Sequence, residues 1–204
     1  MVLTQKNGIE LAKSIVSEID KKIKRIYWTN DEIDKWVGKR SAKKIINSGN
    51  TCFMNPCSDL TLVSSFLMHQ NNIPHKWIIE EYLPTKDFDF NRLHFTLEFK
   101  YNNNLHVLNY KTSNDVYVYE GEYNGRKDLP VAQIMKFPSK QINFNKSLYG
   151  NLNNSNLKSR LENYSLESNL NRLKQDNSLE NYNNFKQENG KGFIIKQLEN
   201  QPSA

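Results

Sequence analysis

Cys57 and His94 are the residues whose types and settings allow nucleophilic chemistry in this chain. Pro56 suits the first position of a helix, and Asn55 suits a cap before it. Cys57 then falls in the first helical turn, ahead of Leu60, Val63, Phe66 and Leu67, which recur at helical spacing. A thiol there faces the positive end of the helix dipole and unpaired backbone N–H groups. Both favour the thiolate, the nucleophilic form. A cysteine without a base packs as a small buried hydrophobe instead, so the reading needs a partner.

His94 supplies one. It opens a segment, Leu93 to Lys100, in which Phe95, Leu97 and Phe99 alternate with His94, Thr96 and Glu98. A polar turn at Tyr101–Asn104 and a return strand over Leu105 to Tyr110 make a hairpin. Its register sets Thr96 near Asn109 and His94 near Lys111, so His94 and Asn109 share a sheet face. His106 has the opposite parity and points away. An imidazole that takes the thiol proton, oriented by a third polar group, completes the arrangement. Asn109 can do this through its carbonyl oxygen without adding charge. Backbone N–H groups at the helix start provide part of an oxyanion hole, with Asn50, Asn55 or Asn47 as side-chain donors.

The elements that must position these residues follow in order. Ile9, Ala12, Val16, Ile19, Ile23 and Ile26 mark an amphipathic helix from Gly8 to Tyr27. Thr29 and Glu32 form a capping box for a short second helix, which Gly38 terminates. Lys39 to Asn47 reads as a third short helix. After the central helix ends at Asn71, Asn72 and Pro74, Lys76 to Tyr82 is an apolar strand. Leu83 to Asn91 is a loop. Val116 to Tyr119 is a further strand and Val131 to Phe137 a last one. Beyond Gln141, fourteen Asn residues before Gly190 leave too few apolar groups to bury much surface. There Leu157, Leu161, Leu170 and Leu173 line one marginal helix at most. Residues 1–140 are therefore expected to form one domain, and residues 141–204 a weakly helical or disordered extension.

Composition narrows the class. The chain has 204 residues, 37% hydrophobic, with net charge +6. No apolar run reaches the length of a membrane span. Lys6, Glu10 and Lys13 interrupt any signal-peptide core. A cytoplasmic location is expected, and export by a route without such a signal stays open. The two cysteines, Cys52 and Cys57, would close a very small loop, so thiol chemistry is favoured over a disulfide framework. His69 and His75 lie near them, but no paired metal-ligand spacing supports zinc, and neither metal nor cofactor is expected. Lys21, Lys22, Lys24, Arg25, Lys39, Arg40, Lys43 and Lys44 carry the basic excess and suit an acidic partner. No nucleic-acid motif accompanies them.

Two resemblances enter here. The run Cys57-x-Asp59, an apolar helix, then Asn72-Ile73-Pro74 and an apolar strand resembles the transglutaminase-like core of papain-fold thiol enzymes. That family's motif reads Cys-x-Asp, helix, Gly-Ile-Pro, strand. Its second block is a His opening a strand, an acid four residues on, and a third residue at a strand end. Here those are His94, Glu98 and Asn109. The resemblance spans Ser48 to Val118. Asn72 replaces the Gly, Thr96 the usual aromatic, and Asn109 stands where Asp is commoner in transglutaminases and Asn in papain-like peptidases. Separately, Asn47-Ser-Gly-Asn-Thr-Cys52-Phe-Met-Asn55 is similar to the cysteine box of ubiquitin-specific proteases. His94-Phe-Thr through Asn109 and Asp115 is loosely similar to that family's histidine box. The Cys52 to His94 separation is too short for that family's insertions.

The resemblances imply an α+β, papain-like fold, with the cysteine-bearing helix packed on an antiparallel sheet. They imply a cysteine-dependent peptidase or isopeptidase acting on protein or peptide through Cys57, His94 and Asn109. Amide or acyl transfer, a deubiquitinase-like peptidase using Cys52, and a non-catalytic binding module stay as alternatives.

Overall fold

The computed structural model describes residues 8–52, 56–83, 92–110, 115–125, 131–152 and 192–196. Helix α1 (Gly8–Lys22) buries Ile9, Ala12, Ile15, Val16 and Ile19, the face its period predicts. It stops short of the expected end at Tyr27. Strand β1 (Lys24–Ile26) instead pairs in parallel with β2 (Asn50–Cys52), so Ile26 is 40% exposed and lies on no helix face. Helix α2 (Asn30–Trp36) carries the Thr29–Glu32 capping box, and Gly38 follows it at φ +67°. Helix α3 (Ala42–Ser48) starts at its Ser41 cap and ends on left-handed Gly49.

Helix α4 (Pro56–Gln70) leads into β3 (His75–Tyr82) through Asn72 at φ +55°. Strands β4 (Arg92–Tyr101) and β5 (Asn104–Asn109) form the hairpin, with Thr96 opposite Asn109 as expected. Asn102 and Asn103 both take positive φ, which fits a two-residue turn and the right-handed strand twist. Strands β6 (Asp115–Glu120), β7 (Val131–Pro138) and β8 (Gly192–Lys196) complete one six-stranded sheet in the order β7-β3-β4-β5-β6-β8. Every pairing in it is antiparallel.

The register divides the sheet into two faces. Trp77, Ile79, Leu93, Phe95, Leu97, Leu108 and Val118 share one face and join the apolar residues of α1 and α4 in the main core. Ile78, Val107, Tyr117, Tyr119 and Tyr123 form a second cluster, on the opposite face. Fold class is thus α+β, with a helical layer on one side of an antiparallel sheet.

Described residues beyond 140 pack on the elements before them. Helix α5 (Leu148–Asn151) buries Leu148 and Tyr149 in the main core. Ser147 bridges to Ser41, and the Tyr149 N–H donates to the Gly38 carbonyl at 3.2 Å. Phe144 packs edge-on against Phe66 of α4. Strand β8 adds a strand to β6. A few apolar anchors dock this segment despite its Asn-rich composition, because they insert between elements built earlier in the chain. The marginal helix over Leu157 to Leu173 lies outside the described residues.

Candidate active site

Cys57 is the second residue of α4 and 7% exposed. Asp59, two residues on, fixes the helix start. Its buried carboxylate accepts from Arg40 Nη2 at 2.5 Å and from the Thr51 hydroxyl at 2.9 Å. Arg40 also lies over the Trp28 ring and donates to Ser48 Oγ at 2.9 Å. Burial raises the Asp59 pKa, while the guanidinium and the Thr51 hydroxyl work against that rise. This pair ties α4 to the α2–α3 connection and to β2. Asp59 of the Cys-x-Asp run therefore anchors the helix.

Cys52 sits differently. It is fully buried on β2, clustered with Ile33 and Val37. The helix dipole acts at Cys57, since α4 begins at Pro56. Of the expected oxyanion donors, Asn50 donates its amide to the Ser48 carbonyl at 3.2 Å and accepts from Arg40. Asn47 is exposed on α3, and Asn55 lies outside the described residues.

His94 is the third residue of β4 and 9% exposed. Its Nε2 stands 2.6 Å from Asn109 Oδ1. An amide oxygen accepts, so Nε2 carries the proton and the neutral ring presents Nδ1 as its basic nitrogen. The bond runs diagonally across the ladder, since Thr96 is the direct partner of Asn109. Thr96 is fully buried, and its hydroxyl has no hydrogen-bond partner among the described residues. Glu98, the acid four residues on, is engaged elsewhere. It accepts from the Tyr123 N–H at 3.3 Å and from Lys136 Nζ at 3.2 Å. Burial alone would lower the Lys136 pKa, but hydrogen bonds to Glu122 and Glu98 outweigh it and raise the value.

Two bonds fix how α4 lies on β4. The Thr61 hydroxyl donates to the Phe95 carbonyl at 3.3 Å. One turn later, Ser65 Oγ accepts from Trp77 Nε1 at 2.7 Å, and Trp77 is the ladder partner of Leu97. The helix thus runs in the direction of β4. Cys57 lies one turn before Thr61, about 6 Å back along the axis. That is about two strand residues, which brings it to the Leu93–His94 end of β4.

The alternation sets a condition on any contact between thiol and ring. Phe95 and Leu97 face α4, whereas His94, Thr96 and Asn109 project from the other face. The β4–β5 ladder ends at Thr96 opposite Asn109. His94 lies beyond that end, so helix and imidazole can meet only around the open end of the ladder.

A buried polar cluster of Glu80, Tyr82 and Tyr123 was not anticipated from the sequence. Glu80, fully buried, is the direct partner of His94 on β3. Glu80 Oε2 accepts from the Tyr82 hydroxyl and from the Tyr123 hydroxyl, the latter at 2.5 Å. Burial, reinforced by Tyr82 and Glu80, pushes the Tyr123 phenol well above its usual pKa. The available signal was a carboxylate inside an apolar strand. Away from this cluster, His75 Nε2 lies 2.6 Å from Ser65 Oγ and Nδ1 lies 2.8 Å from the Ile73 carbonyl. A proton on Nδ1 lets the ring donate to Ile73 and accept from Ser65, which itself accepts from Trp77. Burial lowers the His75 pKa, consistent with that neutral form.

Among the described residues, no group of three His, Cys, Asp or Glu could hold a metal, and no helix is long and apolar enough to cross a membrane. Comparison with protein-family models, with curated proteins and with solved structures gives no match.

Proposed function

We propose that this chain is a papain-like cysteine hydrolase that cleaves peptide or isopeptide bonds. The hydrogen bond from His94 Nε2 to Asn109 Oδ1 carries the reading, because it orients an imidazole with a basic Nδ1 at the strand end that α4 approaches. The Cys57 thiol gives its proton to Nδ1, and the thiolate attacks the carbonyl carbon. The imidazolium then protonates the departing amine as the carbon–nitrogen bond breaks. Water, deprotonated by the same imidazole, hydrolyses the resulting thioester and frees the thiol. An amine in place of water would give amide transfer, the lesser alternative.

The test is the rate of alkylation by iodoacetamide across pH on the full chain, Cys57→Ala, Cys52→Ala and Asn109→Ala. The expected result is fast labelling that survives Cys52→Ala and is lost in Cys57→Ala. Asn109→Ala is expected to slow it by about 10²-fold, the low end for a positioned acid–base group. Labelling of both cysteines no faster than a free thiol sinks the proposal.

A second reading is a non-catalytic module on the same frame. The projection of His94 and Asn109 from the face opposite α4 favours it. It predicts a slow Cys57 thiol in the wild-type chain.

A further inference from the structure

We propose that Glu80 is a positioning residue for His94, a buried negative charge across the β3–β4 ladder that stabilises the imidazolium. The consequence for Cys57 rests on the thiol-hydrolase reading above, whereas the coupling of Glu80 to His94 can be read without it. Glu80 and His94 are direct cross-strand partners, a relationship that sets Cβ atoms about 4.5–5.5 Å apart. An opposite charge facing a titratable group favours its ionised form.

The surroundings satisfy the buried Glu80 carboxylate. A buried carboxylate is costly unless it is hydrogen-bonded, and both tyrosine hydroxyls donate to the same oxygen. Hydrogen bonds to the ionised form stabilise it. The loop after β6 closes directly over the group. At Gly125 (φ +89°), an added Cβ would stand 3.3 Å from Glu80 Oε1 and 2.8 Å from Ile134.

Other titratable groups share this face. Tyr82 comes from β3, Glu98 from β4, Tyr117 from β6 and Tyr123 from the following loop; the Arg92 side chain lies outside the described residues. Glu98 already meets Lys136 at 3.2 Å and Lys76 at 3.8 Å. Asn109 holds the ring without charge. Glu80, directly across the ladder from His94, is placed to favour transfer of the thiol proton to His94, which leaves thiolate and imidazolium together.

The experiment follows the His94 ring protons by NMR titration of the full chain, in wild type, Glu80→Gln and Glu98→Gln. Alkylation of Cys57 is measured on the same samples. Glu80→Gln is expected to lower the His94 midpoint by about one pH unit and to slow alkylation at neutral pH. Glu98→Gln is expected to leave both nearly unchanged. An unmoved midpoint in folded Glu80→Gln overturns the inference, even if Cys57 stays reactive. A moved midpoint beside a slow wild-type thiol upholds the coupling and defeats the hydrolase reading alone. Should Glu80→Gln fail to fold, the wild-type midpoint decides. A value at or above the ordinary histidine range, about 6.5, supports a facing charge, because burial alone lowers it. A lower value overturns the proposal.

Discussion

The Thr61 hydroxyl, one helical turn beyond Cys57, donates to the carbonyl of Phe95, the residue after His94. This bond links the helix that bears the thiol to the strand that bears the imidazole. It fixes the height of α4 along β4, because both groups are buried and neither can exchange its partner for water. Thr61→Val keeps the shape and removes the donor. The expected cost is about 1–3 kcal/mol, for a buried carbonyl left without its partner. Urea unfolding measures that loss. The same variant should alkylate more slowly at Cys57, and an unchanged rate beside a stability loss would restrict the bond to architecture.

Arg40 and Asp59 form a pair in which each side chain is almost wholly buried. Removing one partner strands the other charge. Arg40→Met is expected to destabilise the chain by about 3–5 kcal/mol. Adding Asp59→Asn to that variant should recover part of the loss, since no unpaired carboxylate then remains. A double variant no more stable than Arg40→Met would show that the packing of Arg40 on Trp28 matters more than the charge.

His75 gives stability a pH dependence of definite sign. Its pKa in the fold is lowered below the ordinary 6.5 by burial. The unfolded chain therefore takes up a proton before the folded one does. The His75 contribution is complete above pH 6.5 and is lost as pH falls from there towards the folded value. His106, also lowered by burial, acts in the same sense. The thermal midpoint should fall between pH 7 and 5, as stability drops by up to about 1.4 kcal/mol per pH unit for each group. His75→Asn should flatten that profile; an identical slope would assign it elsewhere.

Residues after Gln141 should contribute measurably to stability. A chain ending there loses two buried side chains, Leu148 and Tyr149, and the β8 ladder. At about 1.5–3 kcal/mol for each buried apolar side chain, the loss should exceed about 3 kcal/mol in urea. Gly38→Ala probes the same dock within the full chain. Its φ of +67° strains any side chain, and the new Cβ would stand 2.7 Å from the Tyr149 ring. A truncated chain as stable as the full one would show that α5 and β8 are passengers.

Local chemistry made much of the molecule legible. Pro56 started α4, Thr29 and Glu32 capped α2, and the alternation of β4 carried through the Asn102–Asn103 turn to set Thr96 opposite Asn109. That register also brought Asn109 to His94, because two-residue periodicity and a tight turn are properties of adjacent residues. What neighbours across the sequence decide was hidden. Strand β1 cut α1 short because its ladder partner lies beyond α3. Leu148 and Tyr149 entered the core because earlier helices left room for them. Which sheet face α4 covers was settled only by packing. Glu80 beside His94 was likewise invisible, since the β3–β4 pairing depends on the long connection between them, and parity along one strand says nothing about which residue stands across from it.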